Sequence, residues 1–253
     1  MLRVSRLVDA VSQIREMDPG IGYYKLWLMS KRMFLHDWVP GRDAFLNLLR
    51  DFNLMQKRPK PRSTTNSNHR YRMYKNLIRG FVPTGPNQLW VSDITYIDLV
   101  DSCSYLHLVT DAYSRKIIGW RLSDTLGAEN TLEALRMAIG QATADQLHQL
   151  IHHSDRGVQY CCNTYTGELK KYGIRISMTE DYKPTDNAIA ERVNGILKTE
   201  VIYRERRFKN IQEASERIAS FIGFYNEKRP HASIGMKVPS KVHTENGKQL
   251  RMW

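Results

Sequence analysis

The sequence predicts an α/β fold, with a mixed five-stranded sheet flanked by helices and preceded by a small all-α module. Three observations predict this class. Residues 88–122 contain three successive strand-like runs joined by short turns, which predicts a meander. From residue 128 onward, helix-like and strand-like segments alternate, which is typical of helices packed on a sheet. Residues 1–55 instead show apolar residues at helical spacing.

The all-α module is predicted to contain three helices. The first covers residues 4–16, and the Pro-Gly pair at 19–20 ends it. The second and third cover residues 21–34 and 41–55. Three short helices with a tight break predict a helix-turn-helix-like DNA-binding module over residues 1–55. Since most three-helix segments bind no DNA, a purely structural module is the alternative.

Residues 56–84 are predicted to form a basic linker. Their first part, residues 56–79, contains eight Lys or Arg residues, no acidic residue, two prolines and a Ser/Thr/Asn run. Tyr71 and Tyr74 interleave with the basic residues, an arrangement that suits an arm following a nucleic-acid strand. A merely solvated linker is the alternative interpretation.

The predicted α/β domain covers residues 85–228, and a basic tail follows over residues 229–253. The strand-like segments are 88–98, 104–113, 115–122, 149–155 and 174–178. The helix-like segments are 128–142, 163–173, 185–203 and 210–228. Because the strands first follow one another and then alternate with helices, the sheet is expected to be mixed.

The charge balance favours a polyanionic partner. Lys and Arg number 38 against 26 Asp and Glu, which gives a net charge of +12 and points first to nucleic acid. An acidic membrane surface is the weaker alternative. No apolar run of about 18 residues and no signal-peptide pattern is evident, so no spanning helix is expected. Three cysteines, two of them adjacent, predict no disulfide framework and suggest a reducing cytoplasm.

Two aspartates lie where a carboxylate needs an explanation. Asp93 falls within a strand with apolar residues on both faces, and an unpaired buried carboxylate there costs several kcal/mol. A metal ion or a basic partner would remove that cost. Asp155 follows an apolar strand at its end, where chemistry in α/β sheets tends to collect. Gly157 lets the backbone approach closely. For Asp155 alone, a simple turn is the alternative.

A third carboxylate, Glu191, is predicted to point away from the apolar stripe of its helix. It lies about 200° from both Ile189 and Val193, while Asn194 and Lys198 share its face. A solvated helix acid is the alternative. Two aspartates on strands and a glutamate on a later helix could hold two hard cations such as Mg²⁺, which is an arrangement for phosphodiester chemistry.

The spacing and the surrounding sequence resemble a known family. Asp155 follows Asp93 by 62 positions, and 35 residues separate Asp155 from Glu191. This pattern is similar to the Asp-Asp-Glu signature of retroviral integrases and bacterial insertion-sequence transposases. The segments "LWVSDITYI", "YLHLVTDAYSRKIIGW", "HSDRGVQY", "SMTEDYKPTDNAIAERVNGILKTE" and "FYNEKRPHASIGMKVPS" resemble the insertion-sequence-three family of transposases, in its second-reading-frame (OrfB) type. The likeness runs from about residue 20 to 245.

The resemblance implies an RNase H-like catalytic core of the integrase type over residues 85–228. It implies that Asp93, Asp155 and Glu191 are catalytic metal ligands for two Mg²⁺ ions, for which Mn²⁺ could substitute. It also implies that Lys198, two helical turns after Glu191, contacts the terminal DNA of the element. The weaker candidates for DNA contact or for support of the ligands are Asn194, Asn187, Lys183, Arg156, His153 and Tyr160.

The resemblance further implies a transposase that cuts and joins DNA at the ends of its own mobile element. Its expected partners are double-stranded DNA, an upstream-frame helix-turn-helix protein (OrfA) joined by frameshifting, and further copies of the chain on DNA. The expected location is the bacterial cytoplasm, with association to the nucleoid through DNA. Three alternatives stay open: a nuclease on the same fold that joins no ends, a DNA-binding protein with a decayed site, and a polybasic membrane-surface protein.

Overall fold

The computed structural model describes residues 2–34, 38–56, 70–180, 187–205 and 207–245. The strands of these residues are β1 (Leu89–Asp98), β2 (Cys103–Asp111), β3 (Ile117–Ser123), β4 (Ile151–Ser154) and β5 (Arg175–Met178). They form one sheet in the order β3-β2-β1-β4-β5. β1, β2 and β3 pair antiparallel, whereas β4 pairs parallel to β1 and β5 parallel to β4. The predicted mixed five-stranded sheet is therefore confirmed.

The α-helices of the described residues follow the predicted order, with three short additions. They are α1 (Leu2–Met17), α2 (Tyr23–Met33), α3 (Arg42–Asp51), α4 (Ala128–Ile139), α5 (Ala144–Gln149), α6 (Val158–Cys161), α7 (Asn163–Lys171), α8 (Ala188–Leu197), α9 (Ile211–Glu227) and α10 (Pro239–Thr244). The helices α5, α6 and α10 are the additions. No helix of the described segments is long and apolar enough to cross a membrane.

Helices cover both faces of the sheet because the side chains of β1 alternate between two apolar layers. Trp90 contributes to the layer that contains Leu135 of α4 and Tyr165 of α7. Ile97, an odd number of positions later, contributes to the opposite layer with Val193 of α8. This alternation makes β1 a central strand with two buried faces, as its sequence predicts.

The strand predicted over residues 149–155 is shorter in the structure because α5 precedes it. Thr143 and Gln146 form a capping box at the start of α5, in which each side chain accepts a hydrogen bond from the backbone of the other. The Thr-x-x-Gln spacing is visible in the sequence and could have predicted this helix. The short strand leaves Asp155 just beyond the end of β4.

The N-terminal helices α1, α2 and α3 form their own apolar core, which confirms the predicted helical module. Leu7, Leu26 and Phe45 are buried in it, one from each helix. Phe224 of α9 belongs to the same cluster. The module is therefore packed on the α/β domain. Binding of DNA by residues 1–55, and the boundaries of the predicted domains, stay predictions.

The described part of the predicted linker follows the outer edge of the sheet next to β5. The Asn76 backbone N–H donates to Glu180 Oε1 at 2.9 Å, and the Leu77 N–H donates to Ser177 Oγ at 2.9 Å. The Met178 N–H reaches the carbonyl oxygen of Lys75 at 3.4 Å. We call residues 75–79 the edge segment. Residues 57–69 of the predicted linker lie outside the described residues.

The described part of the predicted C-terminal tail is attached to the α/β domain. Ile234 and Val242 are buried against Tyr113, and Arg229 is also buried. The tail is therefore not a free basic extension up to residue 245. Residues 246–253 lie outside the described residues.

Candidate active site

Asp93 lies in the middle of β1, opposite Leu108 of β2, and its carboxylate is partly buried. Its Oδ2 atom accepts a 2.6 Å hydrogen bond from the side-chain amide of Asn194, and its Oδ1 atom accepts a 2.9 Å bond from the Ile94 N–H. These bonds fix the direction of the carboxylate and connect β1 to α8.

Asp155 lies at the same level of the sheet as Asp93. The parallel pairing of β1 and β4 ends with Val91 and His153; Asp93 lies two residues further along β1, and Asp155 lies two residues after His153, just beyond the end of β4. The carboxylate of Asp93 points to the face covered by α8, where Asn194 binds it, and the charge of Asp155 acts on this carboxylate. The Gly157 N–H donates to Asp155 Oδ1 at 2.9 Å and orients that carboxylate.

The position of Gly157 leaves almost no room for a side chain. A Cβ atom on it would lie 3.0 Å from Asp155 Oδ1 and 3.1 Å from Gln159 Oε1. The close approach that the sequence predicts at this glycine is therefore present, and it is made to the candidate ligand itself.

The pKa of Asp93 reports the proximity of the other two carboxylates. Burial is the largest cause that raises this pKa to about 7, and the negative charge of Asp155 is the second. The hydrogen bonds from Asn194 and Ile94 lower the pKa, and the charge of Glu191 adds a small further rise. The electrostatic coupling of Asp93 is therefore stronger to Asp155 than to Glu191.

Glu191 lies in the first turn of α8, with an exposed side chain whose pKa is raised by partial burial. It points away from the apolar side of α8, as its helical position predicts. Among the residues that the structure describes, no three His, Cys, Asp or Glu side chains lie close enough together to hold a metal ion. The structure thus brings Asp93 and Asp155 together and leaves Glu191 at the rim.

The residues around the two aspartates fit a hard divalent cation. All the candidate donors are carboxylate oxygens, which Mg²⁺ and Mn²⁺ prefer. Two buried oxygens beside them, Asn194 Oδ1 and the Tyr160 hydroxyl, have no hydrogen-bond partner among the described residues. Burial first, and then the charges of Tyr165, Asp93 and Asp155, raise the pKa of Tyr160, so its hydroxyl stays protonated near the site.

The candidate DNA-contacting residues fall into two groups by exposure. Lys198 and Arg156 are partly exposed, and Lys183 lies outside the described residues. The pKa of Lys198 is lowered by burial, while the charges of Asp93 and Asp98 act to raise it, which places its amine beside the site.

The second group is buried and forms part of the frame of the site. Asn187 donates from Nδ2 to the Ser92 carbonyl oxygen at 3.1 Å, so that Asn187, at the start of α8, and Asn194, in its last turn, both connect α8 to β1. His153 is fully buried, with Nδ1 2.8 Å from Ser177 Oγ, and Tyr160 is 2% exposed. Their burial does not favour direct contact with DNA.

A polar network on the other side of β1 is not predicted from the sequence. His152 Nε2 lies 2.8 Å from Ser92 Oγ and 2.9 Å from the Tyr165 hydroxyl. Burial lowers the pKa of His152 to about 3, so the imidazole is neutral. The adjacent histidines His152 and His153 therefore serve opposite faces of β4, as their alternation predicts. The partners of His152 are distant from it in the sequence, so the residues next to His152 give no sign of this network.

The sequence and structure match known integrase and transposase proteins. An integrase core domain model matches residues 83–184, and a second integrase core domain model matches residues 172–239. A protein of insertion sequence element IS986/IS6110 from Mycobacterium tuberculosis is 32% identical over 247 residues, which cover 95% of this chain and 88% of that protein. The transposase for insertion sequence element IS904 from Lactococcus lactis is 34% identical over 173 residues, covering 68% of this chain and 67% of that protein.

Transposase InsF for insertion sequence IS3A from Escherichia coli is 34% identical over 175 residues, covering 68% of this chain and 59% of that protein. Among solved structures, a chain of the simian T-cell lymphotropic virus intasome in complex with PP2A regulatory subunit B56 gamma matches with a TM-score of 0.55 and 18% identity. The match covers 93% of this chain and 74% of that chain, and it shows the fold alone. The RNase H-like fold is thereby confirmed. By its fold and its relatives, the chain belongs to the insertion-sequence-three family of transposases, which carry an integrase core.

Proposed function

We propose that Asp93, Asp155 and Glu191 are the catalytic residues with which this transposase cuts and joins DNA at the ends of a mobile insertion sequence. The observation that carries the proposal is the proximity of Asp93 and Asp155: β1 and β4 pair parallel up to Val91 and His153, two residues before each aspartate, and the charge of Asp155 raises the pKa of Asp93. The charge of Glu191, on α8, acts on the same carboxylate.

The three carboxylates would hold two divalent cations, Mg²⁺ or Mn²⁺. Each of the three side chains would supply carboxylate oxygens to them. When bound, such a pair of cations activates the oxygen that attacks the phosphodiester and stabilises the oxygen that leaves it. Asn194 and the Gly157 N–H keep Asp93 and Asp155 in the orientation for this task. No side chain forms a covalent intermediate with DNA.

The reaction has two steps at one site. Water first cuts the strand at the end of the element and exposes a 3′-OH. That 3′-OH then attacks a phosphodiester of the target: a new P–O bond joins it to the 5′ phosphate of the target, the P–O3′ bond of the target breaks, and the target strand leaves with a free 3′-OH. Lys198, Arg156 and Lys183 are proposed to contact phosphates in both steps, which agrees with the net charge of +12. Asn187, His153 and Tyr160 support the site from within the protein, since their side chains are buried.

The proposed partners are the terminal repeats of the element and the target DNA. The helical module of residues 1–55 would bind DNA, and an upstream-frame helix-turn-helix protein would contribute to recognition of the ends. Synapsis of two ends calls for more than one copy of the chain on DNA. Since the protein would act on DNA, we infer that it is located in the bacterial cytoplasm, at the nucleoid.

The experiment compares the wild type with Asp155→Asn on a labelled duplex that carries the terminal repeat, with Mg²⁺ or Mn²⁺ present. Asp155→Asn preserves the shape of the side chain and removes its charge. Glu133→Gln is the matched control, because Glu133 forms an exposed ion pair with Arg121 at 3.1 Å. Joined products are expected for the wild type and the control, and none for Asp155→Asn, with DNA binding retained by all three.

Two other outcomes would overturn the proposal. Cut but unjoined products from the wild type would indicate a nuclease on the same fold. Binding without any cutting, even with the upstream-frame protein supplied, would indicate a DNA-binding protein.

A further inference from the structure

Four ionisable side chains meet in a buried cluster at the junction of the helical module and the α/β domain. Asp18, in the turn after α1, and Lys25, on α2, come from the module. Glu200 lies in the turn after α8, and Arg229 follows α9. Asp18 and Arg229 are no more than 1% exposed. We call these four residues the junction cluster.

Glu200 is the centre of the junction cluster. Arg229 donates to it through two nitrogens, Nε to Oε2 and Nη2 to Oε1, both at 2.6 Å. Lys25 Nζ lies 3.3 Å from Oε1. Arg229 Nε also lies 3.3 Å from Asp18 Oδ2. A forked, two-point pairing of this kind fixes direction as well as distance, so the cluster determines where the Glu200 side chain points.

The backbone of the module also touches the backbone around Glu200. The Gly20 N–H donates to the Glu200 carbonyl oxygen at 2.7 Å. A Cβ atom at Gly20 would lie 2.3 Å from Glu200 Cα, which is too close for any residue with a side chain to fit. The junction is therefore a rigid contact between two main chains, and glycine is required for it.

Glu200 and Glu191 belong to one continuous helical element. The α-helix α8 ends at Leu197 and continues as a wider π turn over Lys198–Ile202. The Lys198 N–H still donates to the carbonyl oxygens of Asn194 and Gly195, so no break separates the two parts. Single π turns of this kind are frequent at functional sites.

The geometry of this element puts its two glutamates on opposite sides. Nine residues rotate a helix by about 900°, which is half a turn beyond two full turns, and advance it by about 14 Å. Glu191 and Lys198 therefore lie on one side of this element, and Glu200 lies on the other side, which faces the module. A shift of Glu200 along or around the helix axis would be transmitted to Glu191.

We propose that Glu200, held by the other three residues of the junction cluster, is a positioning residue that sets the placement of Glu191 at the active site. The helical module thus supports the active site mechanically, in addition to any contact that it makes with DNA. This inference rests on the proposed catalytic role of Glu191. Buried ion pairs are better suited to fixing one arrangement than to adding stability, which fits this task.

The test replaces Glu200 with glutamine, which keeps its size and removes the charge that Arg229 and Lys25 pair with. Glu133→Gln is again the matched control. Three quantities are measured on the full chain: hydrogen exchange of backbone amides in residues 188–203, the Mn²⁺ concentration for half-maximal joining, and the Kd for DNA. Glu200→Gln is expected to speed exchange in this segment at least tenfold and to raise the Mn²⁺ requirement several-fold, with the Kd for DNA changed less than twofold.

Unchanged exchange in residues 188–203 together with an unchanged Mn²⁺ requirement would overturn the inference. If Glu200→Gln does not fold, Arg229→Lys gives the same test, since it keeps the charge and removes the forked pairing. The two proposals fail in different ways. A wild type that does not join DNA contradicts the proposed function, whereas the exchange measurement tests the junction cluster without any catalysis.

Discussion

The side-chain amide of Asn194 lies 2.6 Å from Asp93 Oδ2, which joins the helix of one candidate ligand to the strand of another. Removing this donor in Asn194→Ala is expected to reduce the rate of joining by about 10–100-fold, as for other residues that orient metal ligands. DNA binding should stay within about twofold, because the phosphate-contacting groups are unchanged.

A joining assay at saturating DNA measures the effect of Asn194→Ala. Asn130→Ala, on α4 and hydrogen-bonded to Thr125, is the control for the same substitution in another helix. Equal joining rates for Asn194→Ala and the wild type would show that Asn194 is not needed to orient Asp93.

Gly157→Ala is expected to reduce joining strongly while the protein stays folded. The added methyl group would lie 3.0 Å from Asp155 Oδ1, so the carboxylate must shift by a few tenths of an ångström from its present position. The backbone itself tolerates alanine, since its φ of −61° is common to all residues.

Gly167→Ala is the control for this prediction, because no heavy atom lies within 4 Å of the added methyl in α7. It should stabilise the helix by about 0.5–1 kcal/mol and leave joining unchanged. Joining and the free energy of unfolding are measured for both variants. A fully active Gly157→Ala protein would contradict the tight packing around Asp155.

Stability is expected to fall as the pH rises above the ordinary range of an aspartate, because of Asp18. Burial, followed by the charge of Glu200, raises the pKa of Asp18. A raised native pKa means that the stabilising contribution is complete below the unfolded value of about 3.9 and is lost as the pH rises through the native pKa. The charges that face Asp18 are Glu200, Arg229, Lys25 and Arg15.

Asp18→Asn tests this dependence, since it keeps the size of the side chain and cannot titrate. Urea unfolding at pH 5, 7 and 8.5 should give a flatter dependence for Asp18→Asn than for the wild type, because the other groups titrate equally in both. Parallel curves would show that Asp18 carries no proton in the native protein.

Divalent cations are expected to stabilise the folded wild type in the absence of DNA. A cation that binds the native carboxylates and not the unfolded chain raises stability by mass action, about 2.7 kcal/mol at a concentration 100 times its Kd. Thermal unfolding with increasing Mn²⁺ should therefore raise the Tm of the wild type. The Tm of Asp155→Asn should respond much less, and equal shifts in both proteins would place the bound Mn²⁺ elsewhere.

Much of the fold could be predicted from local patterns, because alternation and helical spacing are set by neighbours in the sequence. The central position of β1 follows from its apolar faces, and the outward direction of Glu191 follows from its helical angle. In the structure, Asp155 lies close enough to Asp93 for its charge to raise the pKa of Asp93, and the role of the two residues as metal ligands stays a prediction.

The structure differs from the sequence predictions where contacts between residues distant in the sequence determine the local conformation. The helix predicted over 185–203 ends as an α-helix at Leu197 and becomes a π turn, at the point where Gly20 and Arg229 contact Glu200. Arg229, predicted in a basic tail, is buried for the same reason. The burial of His153 and Tyr160 also depends on packing that no local pattern records.

The edge segment has a consequence for how copies of the protein can assemble. An uncovered outer strand invites a second chain to extend the sheet through its free backbone groups. Here residues 75–79 already lie along β5: the Met178 N–H donates to the Lys75 carbonyl oxygen, and the Leu77 N–H donates to the Ser177 side chain. A neighbouring copy would have to displace this segment before it could add a strand to β5. Copies of the transposase gathered on DNA are therefore expected to meet through surfaces other than this edge.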